Sequence, residues 1–392
     1  MALQPAAGAR DLHPWEVDSN RRLGDLLAST YRLWGYEEVS PPSIERLDTL
    51  RAGGGIPEPE LIRLAAEEPL GLRPELTASI ARAAGTRMVD RPRPLRLWSC
   101  GSIFRRSIDA GGTQRINERL HSGVELLGVS SAATDCELMH LLLAAVATLD
   151  LRSCHQPTLL VGHHGLLDGL IQQLPLSSRS RVREALTGFD PLALGLLDLP
   201  AETHRRLKAL MGLRGRPAVV LEHLKGWLGP IPLLSALESI LISVAPAAER
   251  AGVKLQLDPT FQPHFDLYDG LVLKLVCQGD HAPTAIASGG RYDALVGRFC
   301  SDPVCSAGTG FGFDIDALRD LLGPAAPGED RPVPWLVAGS RGDQMDRILA
   351  RMAELHAGGS AAELCDRPCT SREEAERIAR ERGCRGAIWL DP

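Results

Sequence analysis

The sequence lacks the features that mark a secreted, metal-binding or membrane protein. Its nine cysteines form no CxxC pair and no metal-like spacing with histidine, so we expect reduced thiols and no metal site. It shows no signal segment and no apolar run of about 20 residues, the length that spans a bilayer. These absences predict a soluble cytoplasmic protein without a membrane partner.

Common nucleotide-binding motifs are also missing. There is no GxxxxGK[ST] loop and no strand-anchored GxGxxG, which argues against P-loop and dinucleotide-binding proteins, and we expect no cofactor. The 43 Lys and Arg residues are outnumbered by 49 Asp and Glu residues, giving a net charge of −6. The chain therefore lacks the overall positive field that would indicate a nucleic-acid-binding protein. A chain of 392 residues is long enough for two or three domains.

A long hairpin pattern, LRLWSCGSIFRRSIDAGGTQRINERLHSGVELLG, runs over Leu95–Gly128. Alternating apolar residues on both sides of a Gly-rich loop predict two strands. Arg105 follows a phenylalanine that we expect in the core, so its guanidinium should project from the opposite face. Glu125 lies between Val124 and Leu126, and a carboxylate in this apolar setting needs a partner or a ligand. Both an Arg–Glu pair that fixes the hairpin and a ligand site are open interpretations.

The chain before the hairpin predicts two helices and a strand. Apolar spacing predicts a helix over about 15–33, and YEEVSPPSIERL then predicts a strand that ends at two prolines, as at a sheet edge or interface. Residues 51–71 predict loop and a short helix. LRPELTASIARAAGTRM predicts a helix to about Met88, with Glu75 and Thr77 near its start. These two residues would cap the helix or contact a ligand.

The chain after the hairpin alternates between helical and extended patterns. A long helix is expected over 135–149, and residues of about 151–251 are expected to be mainly helical. LVLKLV then alternates as a hairpin arm. In SGGRYDALVGRF, two glycines precede Arg291 and Tyr292. Glycines there allow either close approach of a ligand or simple strand crossing.

The last part of the chain predicts a separate small domain. GPAAPGEDRPVP, over 323–334, has the composition of a linker. Residues 335–392 follow a strand–helix–strand–helix–strand order, which is typical of a parallel α/β domain.

The order of these segments resembles the histidyl-tRNA synthetase family of class II synthetases over nearly the whole chain up to the linker. GARDLHP resembles the segment before the dimer-forming helix, LRPELTA is similar to the family's LRPEGTA, and IFRR through HSGVELLG resembles motif 2. HFDLYDGLVLKL resembles RGLDYYTGTVFE, and SGGRYDAL is nearly AGGRYDGL. The resemblance implies an α+β fold in which residues 1–322 form an antiparallel sheet with flanking helices.

The sequence departs from this family where ATP is handled. Pro263, ahead of Asp266, stands at the family's catalytic Arg, and Ala317 stands at the ATP-binding Arg of motif 3. The motif 2 loop is longer and has Ser107 in place of a Glu. Adenylation builds negative charge on the phosphates, so the loss of two cationic partners makes tRNA charging implausible.

The amino-acid pocket is partly retained. By resemblance, Glu75 and Thr77 would bind an ammonium group, Arg105 a carboxylate, and Glu125 with Tyr268 an imidazole. His121 stands where the family has Gln, and Leu267 where it has the first Tyr of a pair. The candidate residues of this histidine-like pocket are Glu75, Thr77, Arg105, His121, Glu125, Tyr268, Arg291 and Tyr292. Alternatively, these residues form an internally satisfied polar core.

This combination resembles the synthetase-like regulatory subunits of ATP phosphoribosyltransferase. The resemblance implies a non-catalytic protein needed for activity and for histidine feedback control of the first step of histidine biosynthesis. It also implies a short-form catalytic subunit as partner, self-association as a dimer within a hetero-octamer, histidine as a candidate ligand, and no tRNA. An active histidyl-tRNA synthetase and another synthetase-like, amino-acid-sensing adaptor are the alternatives.

Overall fold

The computed structural model describes residues 5–108, 111–262, 267–300, 305–324, 332–340 and 345–390. These residues divide into two compact units, one within Met1–Leu12 and Asn20–Gly323 and the other within His13–Ser19 and Pro324–Pro392. This grouping differs at His13–Ser19 from the single domain expected over 1–322. Residues 325–331 of the expected linker lie outside the described part of the chain.

A mixed sheet of eight strands forms the centre of the first unit as described. In spatial order its strands are β1 (Glu37–Glu38), β5 (Leu95–Ile108), β6 (Gln114–Leu127), β11 (Gly308–Asp314), β10 (Pro283–Arg291), β9 (Leu271–Gln278), β7 (Thr158–His163) and β8 (Lys254–Leu257). The pairings from β5 to β7 are antiparallel, which confirms the predicted sheet and the predicted hairpin. The edge pairs β1–β5 and β7–β8 are parallel, which the sequence did not predict.

Helices surround this sheet. In chain order they are α1 (Pro14–Leu33), α2 (Leu47–Gly53), α3 (Thr77–Thr86), α4 (Ala132–Ala147), α5 (His164–Ile171), α6 (Arg179–Thr187), α7 (Pro191–Gly195), α8 (Ala201–Gly212), α9 (Pro217–Leu228), α10 (Pro232–Arg250), α11 (Asp293–Gly297) and α12 (Ile315–Leu322). Local sequence sets several of their starts. Ser131 forms a capping box with Thr134 at α4, and prolines occupy the first turn of α9 and α10.

The alternation of β5 and β6 divides the apolar residues between two cores. Trp98, Val124 and Leu126 point to the larger core, which contains the buried faces of α1 and α4. Leu97 and Leu127, on the opposite face, belong to a second core that contains α3. Glu125 shares this second face, because successive residues of a strand point to opposite sides.

Two regions correct the sequence-based expectations. Thr158–His163 lies within the segment expected to be helical, but it forms β7 and pairs with β9. Its Leu159 and Val161 are fully buried, so the short apolar run belongs to the sheet rather than to a helix. Residues expected to form loop contribute to a small antiparallel sheet of β2 (Ile44–Arg46), β4 (Leu70–Leu72) and β3 (Ile62–Arg63).

The helix α10 also needs a correction. It has 19 residues and is apolar enough, by length and composition, to cross a membrane, contrary to the expectation that no such segment exists. Leu237, Leu241 and Val244 on one face are buried in the larger core. A buried apolar face is also what a core helix of this length shows.

The second unit contains a parallel sheet, with strand order β13 (Ala362–Leu364), β12 (Trp335–Gly339) and β14 (Gly386–Leu390). The helices α13 (Met345–Ala357) and α14 (Arg372–Glu381) alternate with these strands along the chain. Buried residues of α14 pack with β12 in a separate apolar core. The predicted strand–helix order of this segment is confirmed.

Candidate functional site

A cavity of about 230 Å³ lies over the face of the main sheet that carries Glu125. Its floor contains few side chains, because Gly123 on β6 lies opposite Gly312 on β11, and Gly310 lies two residues along β11 from Gly312. At Gly310, an added Cβ would lie 1.9 Å from Glu125 Oε2 and 2.4 Å from a backbone oxygen. The glycine at that position therefore leaves the space that the Glu125 carboxyl group occupies.

Described residues from several elements form the cavity wall. The polar members are Glu75, Thr77, Arg105, His121, Glu125, Tyr268, Lys274, Ser288 and Tyr292. Seven of the eight residues predicted from the sequence are therefore brought together. Leu267, which stands in place of the family's first Tyr, also lines the cavity.

Glu125 is held by two hydroxyl groups. Thr77 Oγ1 donates a hydrogen bond of 2.6 Å to Glu125 Oε1, and the Tyr292 hydroxyl donates to Oε2. Burial raises the pKa of Glu125 to about 8, although both hydrogen bonds favour the ionised form. The carboxyl group is therefore largely protonated at neutral pH unless a ligand brings a positive charge next to it.

Glu75 and Thr77 have different roles at the start of α3. Glu75 accepts hydrogen bonds from the Ala78 N–H at 3.0 and 3.1 Å, so the predicted cap is confirmed for this residue. Thr77 uses its hydroxyl on Glu125 instead. Burial raises the pKa of Glu75 above its usual value. Its carboxylate lines the cavity while it caps the helix.

Arg105 extends from β5 toward the same cavity. Its Nε donates to the Pro74 carbonyl oxygen at 2.9 Å, just before α3 begins. Burial lowers the pKa of Arg105 below its usual value. Because the partners of Glu125 are Thr77 and Tyr292, the Arg–Glu pair considered for the hairpin is wrong.

Aromatic and imidazole groups complete the wall. The rings of Tyr268 and Tyr292 lie 6.5 Å apart, and burial raises the pKa of both hydroxyl groups. His121 Nε2 lies 3.8 Å from Asp314 Oδ2. Burial lowers the pKa of His121 to about 4, so its imidazole is neutral at neutral pH.

The structure corrects the placement of Arg291, the eighth predicted residue. Its guanidinium is buried in an ion pair with Asp135 at 2.7 Å and also donates to Thr134 and Ser130. The side chain therefore joins the end of β10 to the start of α4 and does not line this cavity. The ion pair with Asp135 accounts for the buried charge of Arg291, so no ligand is needed to explain this arginine.

Lys274 and Ser288 are cavity residues that the sequence reasoning missed. They are direct neighbours on β9 and β10. A lysine within the apolar run LVLKLV was an available signal, because alternation places Lys274 on one face with Val272. Ser288 offered no comparable signal before the sheet register was known.

Two described residues, Ala317 and Ser107, stand at positions where the family has residues of its ATP-binding motifs. Ala317 lies in the first turn of α12, where its N–H donates to the capping Asp314 at 2.9 Å. A methyl group there offers no charge to a phosphate. Ser107 accepts a hydrogen bond of 2.7 Å from Asn117 Nδ2 across the hairpin. Pro263 and Asp266 lie outside the described residues.

Metal chemistry receives no support from the side chains that are described. Within this part of the chain, no group of three or more His, Cys, Asp and Glu residues is arranged to hold a metal ion. The described wall of the cavity instead combines carboxyl groups, cations and hydroxyls. This arrangement suits a small zwitterion with a further polar group.

Comparison with known proteins agrees with this fold. The sequence model of the histidyl-tRNA synthetase family matches residues 8–318. The chain is 48% identical over 391 residues to an ATP phosphoribosyltransferase regulatory subunit of Prochlorococcus marinus (strain MIT 9313), with 100% of both chains covered. It is 49% identical over 395 residues to the protein of the same name from Synechococcus sp. (strain RCC307), again with 100% of both covered.

Solved structures show the same architecture. An ATP phosphoribosyltransferase regulatory subunit/histidyl-tRNA synthetase from Bacillus halodurans C gives a TM-score of 0.82 at 23% identity, covering 100% of this chain and 99% of that chain. A histidyl-tRNA synthetase from Nostoc sp. PCC 7120 gives a TM-score of 0.78 at 17% identity, covering 100% of this chain and 92% of that chain. The class II synthetase-like fold predicted from the sequence is confirmed.

Proposed function

Because the chain belongs to the family of ATP phosphoribosyltransferase regulatory subunits, which has the histidyl-tRNA synthetase fold, we propose that it controls a catalytic ATP phosphoribosyltransferase subunit in response to histidine. In this proposal the chain is a non-catalytic, cytoplasmic protein that the catalytic subunit requires for activity. It acts in the first step of histidine biosynthesis and does not bind tRNA. The observation that carries the proposal is a polar cavity lined by seven of the residues that the resemblance assigns to histidine, in a chain with Ala317 at the motif 3 position.

Histidine fits the charges and hydrogen-bonding groups of the cavity. The Glu75 carboxylate and the Thr77 hydroxyl would bind its ammonium group, and Arg105 would bind its carboxylate. Glu125 and Tyr268 would bind the imidazole, with Tyr292 holding Glu125 in place. A buried carboxyl group becomes less costly when a cation or hydrogen-bond donor joins it, so a bound histidine would stabilise this wall.

The same cavity argues against adenylate chemistry. Adenylation builds negative charge on the phosphates of ATP, and preorganised cations stabilise that charge in the transition state. Removal of one such group typically lowers the rate by about 10²–10³-fold. Ala317 provides no such group at the motif 3 position. We therefore expect no histidine-dependent exchange between pyrophosphate and ATP with the purified protein. Exchange above a no-enzyme control would instead support the alternative, an active histidyl-tRNA synthetase.

The assembly proposed here follows the family resemblance. The catalytic partner is a short-form ATP phosphoribosyltransferase subunit, and the chain forms a dimer within a hetero-octamer. The dimer contact is proposed at the N-terminal helix and the YEEVSPP segment. In support, Leu33 at the end of α1 is 88% exposed, and β1 lies at a sheet edge in the described structure.

Calorimetry separates a ligand site from a purely structural polar core. If histidine binds here, the Glu75→Ala, Glu125→Ala double variant should lose histidine affinity, and loss of the Glu75 cap of α3 should lower its stability by only about 0.5–2 kcal/mol. If the carboxyl groups serve only the fold, the wild type should bind no histidine and the variant should unfold several degrees earlier, since each buried donor left without its partner can cost about 1–3 kcal/mol. The exposed pair Glu67→Ala, Glu68→Ala is the matched control. Absence of histidine heat in the wild type, alone and with the catalytic subunit, would contradict the proposal.

A further inference from the structure

Lys274 is a cation of the cavity that the proposed histidine site does not use. It is half-buried on β9, and no hydrogen bond or ion pair joins its amine to any other residue among those described. The other acidic and basic side chains on the described wall, Glu75, Arg105, His121 and Glu125, each have a polar partner within 4 Å. We propose that Lys274 forms a second anion subsite, separate from Arg105, that takes a phosphate group. This inference rests on the proposed function of the cavity as an amino-acid site.

The sheet register aims Lys274 across the cavity floor. Lys274 lies opposite Ser288, which lies opposite Gly312, which in turn lies opposite Gly123. Directly opposed residues of antiparallel strands point to the same face, so Lys274 shares the face of Glu125, two residues from Gly123. Since the two glycines carry no side chain, the lysine amine and the Ser288 hydroxyl border open space.

Arg105 is too distant to share one carboxylate with Lys274. Four strand spacings separate β5 from β9, and Arg105 lies six residues along β5 from Ser99, which lies opposite Gly123 in the row of Lys274. With about 4.8 Å between strands and about 3.4 Å per residue, the two backbone positions are roughly 28 Å apart on a flat sheet. The amino-acid carboxylate assigned to Arg105 therefore leaves Lys274 without an anion.

Charge balance favours a ligand group with net negative charge. Arg105 and Lys274 bring two cations and Glu75 brings one carboxylate, whereas burial raises the pKa of Glu125 to about 8 and favours its neutral form. A zwitterionic amino acid adds no net charge, so an additional phosphate would offset the remaining cation. Lysine is a common phosphate partner that acts as a compact point charge, and a neighbouring hydroxyl supplies a further donor.

Titration of inorganic phosphate at constant ionic strength tests this inference. In the wild type, we expect phosphate to bind with an affinity that Lys274→Met weakens by at least ~10-fold, about 1.4 kcal/mol. Lys274→Arg should retain phosphate binding because it keeps the charge. Lys254→Met is the control, since Lys254 is exposed on β8.

Histidine titrations with and without phosphate then separate the possible outcomes. If histidine and phosphate bind at the same time, the subsite takes a free phosphate. If they compete, and phosphate binding still needs Lys274, the subsite takes a phosphate group that belongs to the same ligand. Equal phosphate affinity in wild type and Lys274→Met would overturn the inference, as would phosphate binding that depends on Arg105 alone. Phosphate bound through Lys274 without any histidine heat supports this subsite and contradicts the histidine proposal. Histidine binding without phosphate binding supports the histidine proposal and contradicts the phosphate subsite.

Discussion

At the scale of single residues, Glu125 combines two opposing effects. Burial favours its neutral form, while the hydroxyls of Thr77 and Tyr292 favour its ionised form. Burial is the larger effect and raises the pKa of Glu125 to about 8. A carboxyl group in this state is ready to ionise when a ligand brings a positive charge, which suits a site that senses an amino acid.

The raised pKa of Glu125 predicts how stability depends on pH. In the unfolded chain a glutamate ionises near pH 4.3, whereas in the folded chain Glu125 keeps its proton up to about pH 8. Its contribution is therefore fully present below about pH 4.3 and is lost as pH rises to about 8, by at most about 1.4 kcal/mol per pH unit. Glu125→Gln should remove this loss and gain stability relative to the wild type between pH 5 and pH 8.

Urea unfolding at several pH values measures this difference directly. Other titrating groups cancel between the two proteins, and Glu118→Gln, on the exposed part of the same strand, serves as the control. A constant difference in unfolding free energy between wild type and Glu125→Gln across this pH range would contradict the assignment.

At the scale of elements, the glycines of β11 make the cavity compatible with the sheet. Gly310 lies opposite Glu125, and an added Cβ would meet both its carboxyl group and a backbone oxygen. Two residues along the same strand, a Cβ at Gly312 would have its nearest neighbour at 3.9 Å, an ordinary contact. The two positions therefore form a matched pair on one strand.

Alanine at these positions should affect stability differently. Gly310→Ala should lower the free energy of unfolding by about 1–3 kcal/mol, because the strand or Glu125 must shift to fit the methyl group. Gly312→Ala should change it by less than about 0.5 kcal/mol. Thermal unfolding of both variants measures the contrast, and equal melting temperatures would show that the floor is not packed as described.

The sequence predicted the elements around this cavity better than it predicted contacts between distant segments. The hairpin and α4 followed from local periodicity, which the backbone obeys directly. In the other unit, local patterns also predicted the order of strands and helices from Trp335 on. Arg291 was misplaced because strand alternation alone does not reveal which face carries the cavity, and its true partner, Asp135, lies far along the chain. Lys274 was missed for the same reason, since its role depends on the register of strands that are distant in sequence.

At the scale of the whole molecule, a synthetase-like fold encloses a polar cavity, while Ala317 supplies no cation at the motif 3 position. Relatives at 48–49% identity over full length are regulatory subunits of ATP phosphoribosyltransferase. The fold alone did not decide this function, because the histidyl-tRNA synthetase from Nostoc shares it. Ala317, at the motif 3 position, is one described residue at which this chain departs from the synthetase pattern.

The activity of the catalytic subunit with and without this chain tests the central claim most directly. We predict that the short-form ATP phosphoribosyltransferase subunit gains at least ~10-fold in rate when the chain is added, and that histidine suppresses this gain. The Glu75→Ala, Glu125→Ala variant should still activate the enzyme but should lose suppression, because its histidine site is removed while its fold persists. An unchanged rate on adding the wild-type chain, with no complex formed, would contradict the account.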